Sequence, residues 1–207
     1  MKPLHLMIMM TLWGSLTTGS LMAETKVLIL GDSLTEGFGV GKEEAFPARL
    51  QTSLQDLGRK DVLIVNAGIS GSTSASALSR LRWYMKNKPD ILLLALGGND
   101  GLRGLDVEQM RKHLAGTIEY AMKNKVRVLL AGMKMPFNYG EAYTLAFEQV
   151  FFDLGKQYEI PLIPFLLEGV GGQPEMNLPD GIHPTPQGHE IIAGTVMKYL
   201  LPLLDQP

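Results

Sequence analysis

The chain has 207 residues, 45% hydrophobic and 19% charged, with a formal net charge of −2 at pH 7. That apolar content excludes an intrinsically disordered chain, and a slightly acidic balance without a basic stripe argues against nucleic acid as a partner. The lack of cysteine excludes a disulfide framework, a thiolate zinc site, a cysteine nucleophile and a cysteine-linked lipid anchor.

Residues 1–23 read as an export signal. Lys2 supplies the positive start, Leu4 to Leu16 is largely apolar, Thr17 to Ser20 is small and polar, and Leu21-Met22-Ala23 ends in a small residue suited to cleavage. The apolar run is short for a membrane span of about 20 residues, which favours cleavage over a retained anchor. A protein exported to the periplasm or beyond, with no stable membrane anchor after cleavage, is the expectation. Residues 24–207 are then enough for one domain with a single core.

Lys26 to Leu30 is a short apolar run ended by Gly31, the pattern of a buried strand. Leu50, Leu54 and Leu57 recur at helical spacing over Phe46 to Leu57, with Pro47 near the start and Gly58 after the end. Val62 to Val65 predicts a second strand, Ala75 to Lys86 a weaker helix, and Ile91 to Leu96 a third strand stopped by Gly97-Gly98. Asp106 suits the N-cap of a helix reaching Asn124, with Gln109 placed for a return contact. Val126 to Ala131 predicts the fourth strand, Glu141 to Tyr158 a helix, and Leu162 to Phe165 a fifth strand between two prolines. The last helix, Gln187 to Leu204, carries Ile191, Ile192, Val196, Tyr199, Leu200 and Leu203 as one packing stripe. Apolar strands alternating with helices predict an α/β fold: a three-layer α/β/α sandwich around a five-stranded parallel sheet.

In such a sheet ligands bind beyond the carboxyl ends of the strands, where glycines let the backbone turn sharply and be approached closely. Four polar blocks stand there. They are Gly31-Asp32-Ser33-Leu34-Thr35, Asn66-Ala67-Gly68-Ile69-Ser70-Gly71, Gly97-Gly98-Asn99-Asp100 and Asp180-Gly181-Ile182-His183-Pro184. Ser33 also suits a helix cap, and Asp180 a simple turn residue before Gly181. His113 and His189 fall within helices and are read as exposed or structural, while Asp32, Asp100 and Asn66 read as loop braces. Thr35 stands where a nucleophile elbow would have its second glycine, there is no P-loop, and the histidine spacing suits no metal. The adjacent acids Glu43-Glu44 read as a solvated segment rather than a glycosidase pair.

These four blocks, in order along nearly the whole of 24–207, resemble the SGNH (GDSL-type) hydrolases, a family with a flavodoxin-like sandwich. The similarity is to the bacterial thioesterase I, arylesterase and lysophospholipase-like type, supported by Gly97 to Arg103 and Pro136 to Gly140. The resemblance implies Ser33 as nucleophile, His183 as its base and Asp180 as the partner of the imidazole. It implies an oxyanion hole built from the Ser33 and Gly68 N–H groups and the Asn99 side-chain amide. It further implies hydrolysis of aryl esters, short-to-medium acyl esters, thioesters and lysophospholipids through an acyl-serine intermediate, without cofactor or metal. The partner is then a small-molecule ester or lipid-like substrate.

Met135, Pro136, Phe137 and Tyr139, in the loop after the fourth strand, are the candidate acyl-binding residues; the same residues suit ordinary packing under a loop. Two other functions are compatible with the blocks. One is an O-deacetylase of carbohydrate or cell-wall polymers using the same machinery, the other a non-catalytic flavodoxin-like binding module.

Overall fold

The structure, a computed structural model, describes residues 24–206; the export signal read in residues 1–23 lies outside the described residues. Strands β1 (Thr25–Gly31), β2 (Val62–Gly68), β3 (Ile91–Ala95), β4 (Arg127–Ala131) and β5 (Leu162–Ile163) form one sheet. Its order is β2-β1-β3-β4-β5 and every neighbouring pair is parallel. Parallel strands need crossovers, and these are the helices α2 (Phe46–Asp56), α3 (Ala77–Tyr84), α5 (Val107–Lys123) and α6 (Glu141–Gln157). Two short helices, α1 (Ser33–Glu36) and α4 (Gly98–Leu102), follow β1 and β3, and α7 (Pro186–Leu204) closes the fold.

Helices α2 and α7 pack together on one face of the sheet, while α3, α5 and α6 cover the other. This division follows from right-handed crossovers: the chain steps one way from β1 to β2, then back across to β3, β4 and β5. The three-layer α/β/α sandwich expected from the alternation is therefore the observed fold. Central strands β1 and β3 are enclosed on both sides, with Val27 to Leu30 and Ile91 to Leu94 at most 1% exposed. Each such side chain contributes about 1.5–3 kcal/mol by leaving water. Among the described residues, no helix is long and apolar enough to cross a membrane.

The departures from expectation have local causes. Strand β2 runs on to Gly68 rather than ending at Val65, because Asn66, Ala67 and Gly68 stay in register with Ile29, Leu30 and Gly31. Ladder hydrogen bonds need only backbone, so the loss of apolar side chains did not end the strand. As an edge strand it also leaves Leu63 38% exposed. Strand β5 pairs over two residues only, since Pro164 brings no N–H to the ladder. The helix expected over Ala75 to Lys86 is α-helical only in its middle and 3₁₀ at Ser74–Ser76 and Met85–Asn87. Serine hydroxyls bind backbone there, Ser76 donating to Thr73 C=O and Ser79 to Ser76 C=O, both at 2.9 Å. At α5, Asp106 accepts the Gln109 N–H at 2.7 Å; among the described residues the return contact from the Gln109 side chain does not form.

Candidate active site

Strand β1 lies where the direction of strand addition reverses, so the crevice beyond β1 and β3 is the topological switch point of the sheet. Asp32 follows β1 and caps α1, its carboxylate accepting the Leu34 N–H at 3.1 Å. With the cap filled by its neighbour, the Ser33 hydroxyl is released from that duty and meets His183 instead, Oγ to Nε2 at 2.9 Å. Helix α1 is a single turn because Gly37 takes φ +86 at its C-cap. The chain then brings the Phe38 ring over the His183 imidazole, centroids 4.5 Å apart.

His183 is delivered by a compact loop. Leu178 N–H donates to His183 C=O at 2.7 Å, and Asn177 bridges to Pro184 in antiparallel fashion. Asn177 is itself held by its amide, which donates to Val170 C=O at 2.7 Å and to Gln173 C=O at 2.8 Å. At the tip Gly181 adopts φ +74, and Asp180 Oδ1 accepts both the Ile182 and the His183 N–H at 3.0 Å. The other oxygen, Oδ2, lies 2.7 Å from His183 Nδ1. Asp180 is thus a turn residue and the partner of the imidazole at once. The His183 hydrogen bond first, then the two backbone donors, lower its pKa to about 2.

Asn99 stands in α4, and its Nδ2 donates to Asp32 Oδ2 at 3.3 Å. Asp32 is 3% exposed, and burial pushes its carboxyl up to about 6 despite the Leu34 and Asn99 hydrogen bonds. Asp100 braces the neighbouring loop, accepting Ser74 N–H at 2.8 Å and the Ser74 hydroxyl at 2.6 Å. Asn66 braces as well, donating to Thr35 C=O at 2.8 Å. Among the described residues the other two histidines have partners elsewhere: His113 Nδ1 lies 3.2 Å from Ser74 Oγ, and His189 is buried with its Nδ1 accepting Phe46 N–H at 3.2 Å.

Gly68 requires a correction. Its N–H donates to Asn66 Oδ1 at 2.9 Å, and it sits within β2 rather than beyond it. A Cβ there would lie 2.1 Å from the Glu36 N, so glycine is required by the approach of α1, not of a ligand. Gly71, at φ +74, faces the site instead, beside Ser33 and Asn99. Among the described residues no acceptor takes the N–H of Ser33 or of Gly71. The signal that would have found Gly71 is the length of β2: a strand reaching residue 68 leaves only the second glycine of that block in the loop.

These residues open on a cavity of about 530 Å³, within the range of small-molecule sites. Its walls are mainly apolar: Phe38, Leu102, Met135, Pro136, Phe165 and Ile182 all contribute. Of the four candidate acyl-binding residues, Met135 and Pro136 line it. Tyr139 does not; its hydroxyl donates to Leu102 C=O at 3.1 Å and its ring lies against Tyr143, tying the loop to α4. The backbone of Phe137 lies in a 3₁₀ turn, Phe137–Tyr139, and its side chain lies outside what the structure describes.

Comparison with known proteins shows the family. Residues 29–191 match the model of the GDSL-like Lipase/Acylhydrolase family. The chain is 40% identical over 190 residues to esterase TesA of Pseudomonas aeruginosa, covering 91% of this chain and 94% of that protein. It is 37% identical over 191 residues to thioesterase 1/protease 1/lysophospholipase L1 of Escherichia coli, covering 92% and 89%. It is 34% identical over 180 residues to an arylesterase of Vibrio mimicus, covering 86% and 90%. A crystal structure of TesA superposes with a TM-score of 0.83 at 39% identity, covering 86% of this chain and 99% of that one. With the family model spanning most of its length and relatives of this identity over nearly all of it, the chain belongs to the GDSL-like lipase/acylhydrolase family.

Proposed function

We propose that this protein is a serine hydrolase of carboxylic esters and thioesters that works through an acyl-Ser33 intermediate. The observation that carries the reading is the relay from Ser33 Oγ to His183 Nε2 at 2.9 Å and from His183 Nδ1 to Asp180 Oδ2 at 2.7 Å, with Ser33 and His183 lining an apolar cavity. A hydroxyl attacks a carbonyl well only if its proton leaves as the bond forms. His183 Nε2 takes that proton, and the imidazolium is stabilised by Asp180, whose low pKa keeps it ionised. The carbonyl oxygen becomes an oxyanion facing the N–H groups of Ser33 and Gly71 and the second amide proton of Asn99. Collapse of the adduct expels the alcohol or thiol, which receives the proton from His183. Water then attacks the acyl-Ser33 carbonyl with His183 again as base, releasing the acid and restoring the hydroxyl.

The apolar walls supply the substrate class: an acyl chain of several methylenes gains about 0.8 kcal/mol for each one buried, whereas an acetyl group would leave most of the cavity unused. Esters and thioesters of short-to-medium acyl chains, aryl esters and lysophospholipids fit that description better than acetylated glycans. Residues 1–23 are read as an export signal, placing the enzyme in the periplasm or outside the cell; N-terminal sequencing of the protein recovered from that fraction tests the reading.

The deciding experiment is turnover of p-nitrophenyl esters from C2 to C12 by the wild-type chain and by Ser33→Ala. Wild-type turnover should rise beyond acetate, and Ser33→Ala should lose nearly all activity while keeping its circular dichroism. Undiminished hydrolysis by Ser33→Ala would end the assignment, and strict acetate preference would favour a deacetylase.

A further inference from the structure

The turn that carries Gly71 is exposed to solvent, yet both of its central residues are fastened. Ser72 N–H donates to Ile69 C=O at 3.2 Å, closing four residues with Gly71 in third place at φ +74. That is the backbone conformation a type II turn demands of its third residue, and glycine adopts it without strain. Ser70 N–H donates to Glu36 Oε2 at 2.6 Å, and the Ser70 hydroxyl donates to the same oxygen. On the other side Arg103 Nη2 donates to Gly71 C=O at 2.9 Å.

The origin of these two side chains gives the contacts their meaning. Glu36 is the last residue of α1, the helix that begins with Ser33. Arg103 is the C-cap of α4, the helix that holds Asn99. Each element that presents one donor to the cavity therefore also sends out a side chain that grips the turn presenting the third. The buried pair Asp100 and Ser74 anchors one stem of the same loop, and Ile69 N–H, donating to Gly31 C=O at 3.3 Å, anchors the other, so that among the described residues the side chains holding Ser70 and Gly71 at the tip are Glu36 and Arg103.

We propose that Glu36 and Arg103 are positioning residues that hold the Ser70–Gly71 turn against α1 and α4, and so set the Gly71 N–H at its distance from the Ser33 N–H and the Asn99 amide. The inference rests on the reading of those three groups as the oxyanion donors. Exposed hydrogen bonds add little to folding stability, whereas displacement of a donor by about 1 Å costs up to roughly a hundredfold in rate. The two residues thus act on the transition state rather than on the fold or on substrate binding.

The test compares Glu36→Ala, Glu36→Gln, Arg103→Ala and Arg103→Lys with wild type, using p-nitrophenyl butyrate and an alkyl trifluoromethyl ketone, which forms a tetrahedral serine adduct with a full oxyanion. Each alanine variant should lower kcat roughly tenfold to fiftyfold with KM within about twofold. Its affinity for the ketone should fall by the same factor as kcat/KM, and its melting temperature should shift by about 2 °C or less. Glutamine still accepts from Ser70 and lysine still donates to Gly71, so these variants should recover to within about threefold of wild type. Unchanged kcat in the alanine variants, a raised KM with constant kcat, ketone affinity that does not follow the rate, or failure of Gln and Lys to recover overturns the proposal. Ser33→Ala measured alongside separates two failures. If it is inactive while both alanine variants behave as wild type, the positioning role alone falls; if it is active, the ester-hydrolase reading falls.

Discussion

Asp32 and Asp180 are carboxylates of one site, and their surroundings push them in opposite directions. Asp180 accepts from the His183 ring and from two backbone N–H groups, which hold its pKa near 2 and its charge in place for an imidazolium. Asp32 is buried and pushed up to about 6, and its chief contacts are the Leu34 N–H and the Asn99 amide. That contact holds Asn99, whose side chain donates to Asp32 and whose residue lines the cavity. Replacement Asn99→Ala should therefore reduce kcat by about 10²–10³, the equivalent of roughly 2.7–4 kcal/mol, the usual loss for one oxyanion donor. Steady-state kinetics on a p-nitrophenyl ester checks this, and a loss below threefold would reduce Asn99 to a brace for its loop. At this scale the sequence was most informative. Ser33, His183, Asp180 and Asn99 stand in short blocks that the sequence displays and to which the family resemblance gives roles, while the Asp32 contact that holds Asn99 spans 67 positions and is not legible there.

The elements decide which glycine faces the site. Strand β2 pairs through Gly68 with Gly31, and this pushes residue 68 under α1, where the Glu36 backbone passes so close that no side chain fits. Gly68→Ala should thus destabilise the fold by overpacking against backbone, at a cost of about 1–3 kcal/mol and a melting temperature lower by roughly 3–10 °C. Because α1 begins with Ser33, ester turnover should fall as well. Differential scanning fluorimetry with a parallel assay tests the claim, and an unchanged melting temperature would mean that α1 can move away without loss. The Ser74–Ser76 segment carries the same lesson. Its composition suggested a plain helix start, but Ser74 is drawn to Asp100, 26 residues away, and the helix begins later.

Across the whole molecule, sheet order and burial place the chemistry and set its response to acid. The order β2-β1-β3-β4-β5 puts the ends of β1 and β3 side by side at the switch point, and the last helix packs beside α2 and against β5. That helix carries His189, which is fully buried and accepts the Phe46 N–H at Nδ1, leaving the proton on Nε2 without a partner among the described residues. Burial lowers its pKa to about 4. The unfolded imidazole takes up a second proton near pH 6.5 and the folded one only near 4, so stability is lost as pH falls through that interval and the contribution is flat above it. Asp32 acts in the opposite sense, its contribution being fullest below about 3.8 and declining as pH rises through 6. Urea denaturation of wild type and His189→Gln between pH 7.5 and 4 should show a shallower acid loss in the variant. Parallel curves would remove His189 from the acid response.

The sequence alone determined the alternation of strand and helix, the parallel sandwich, and the polar blocks that stand at the strand ends, because apolar periodicity and short polar blocks are local properties of the chain. Only tertiary structure decided that Gly71 rather than Gly68 borders the cavity, that Tyr139 ties a loop instead of lining the cavity, and that Glu36 and Arg103 grip the same turn. Each of these depends on how far a strand runs before leaving its partner, or on side chains from separate elements meeting across the end of the sheet. Such distances are set by packing of the whole, and no window along the chain contains them.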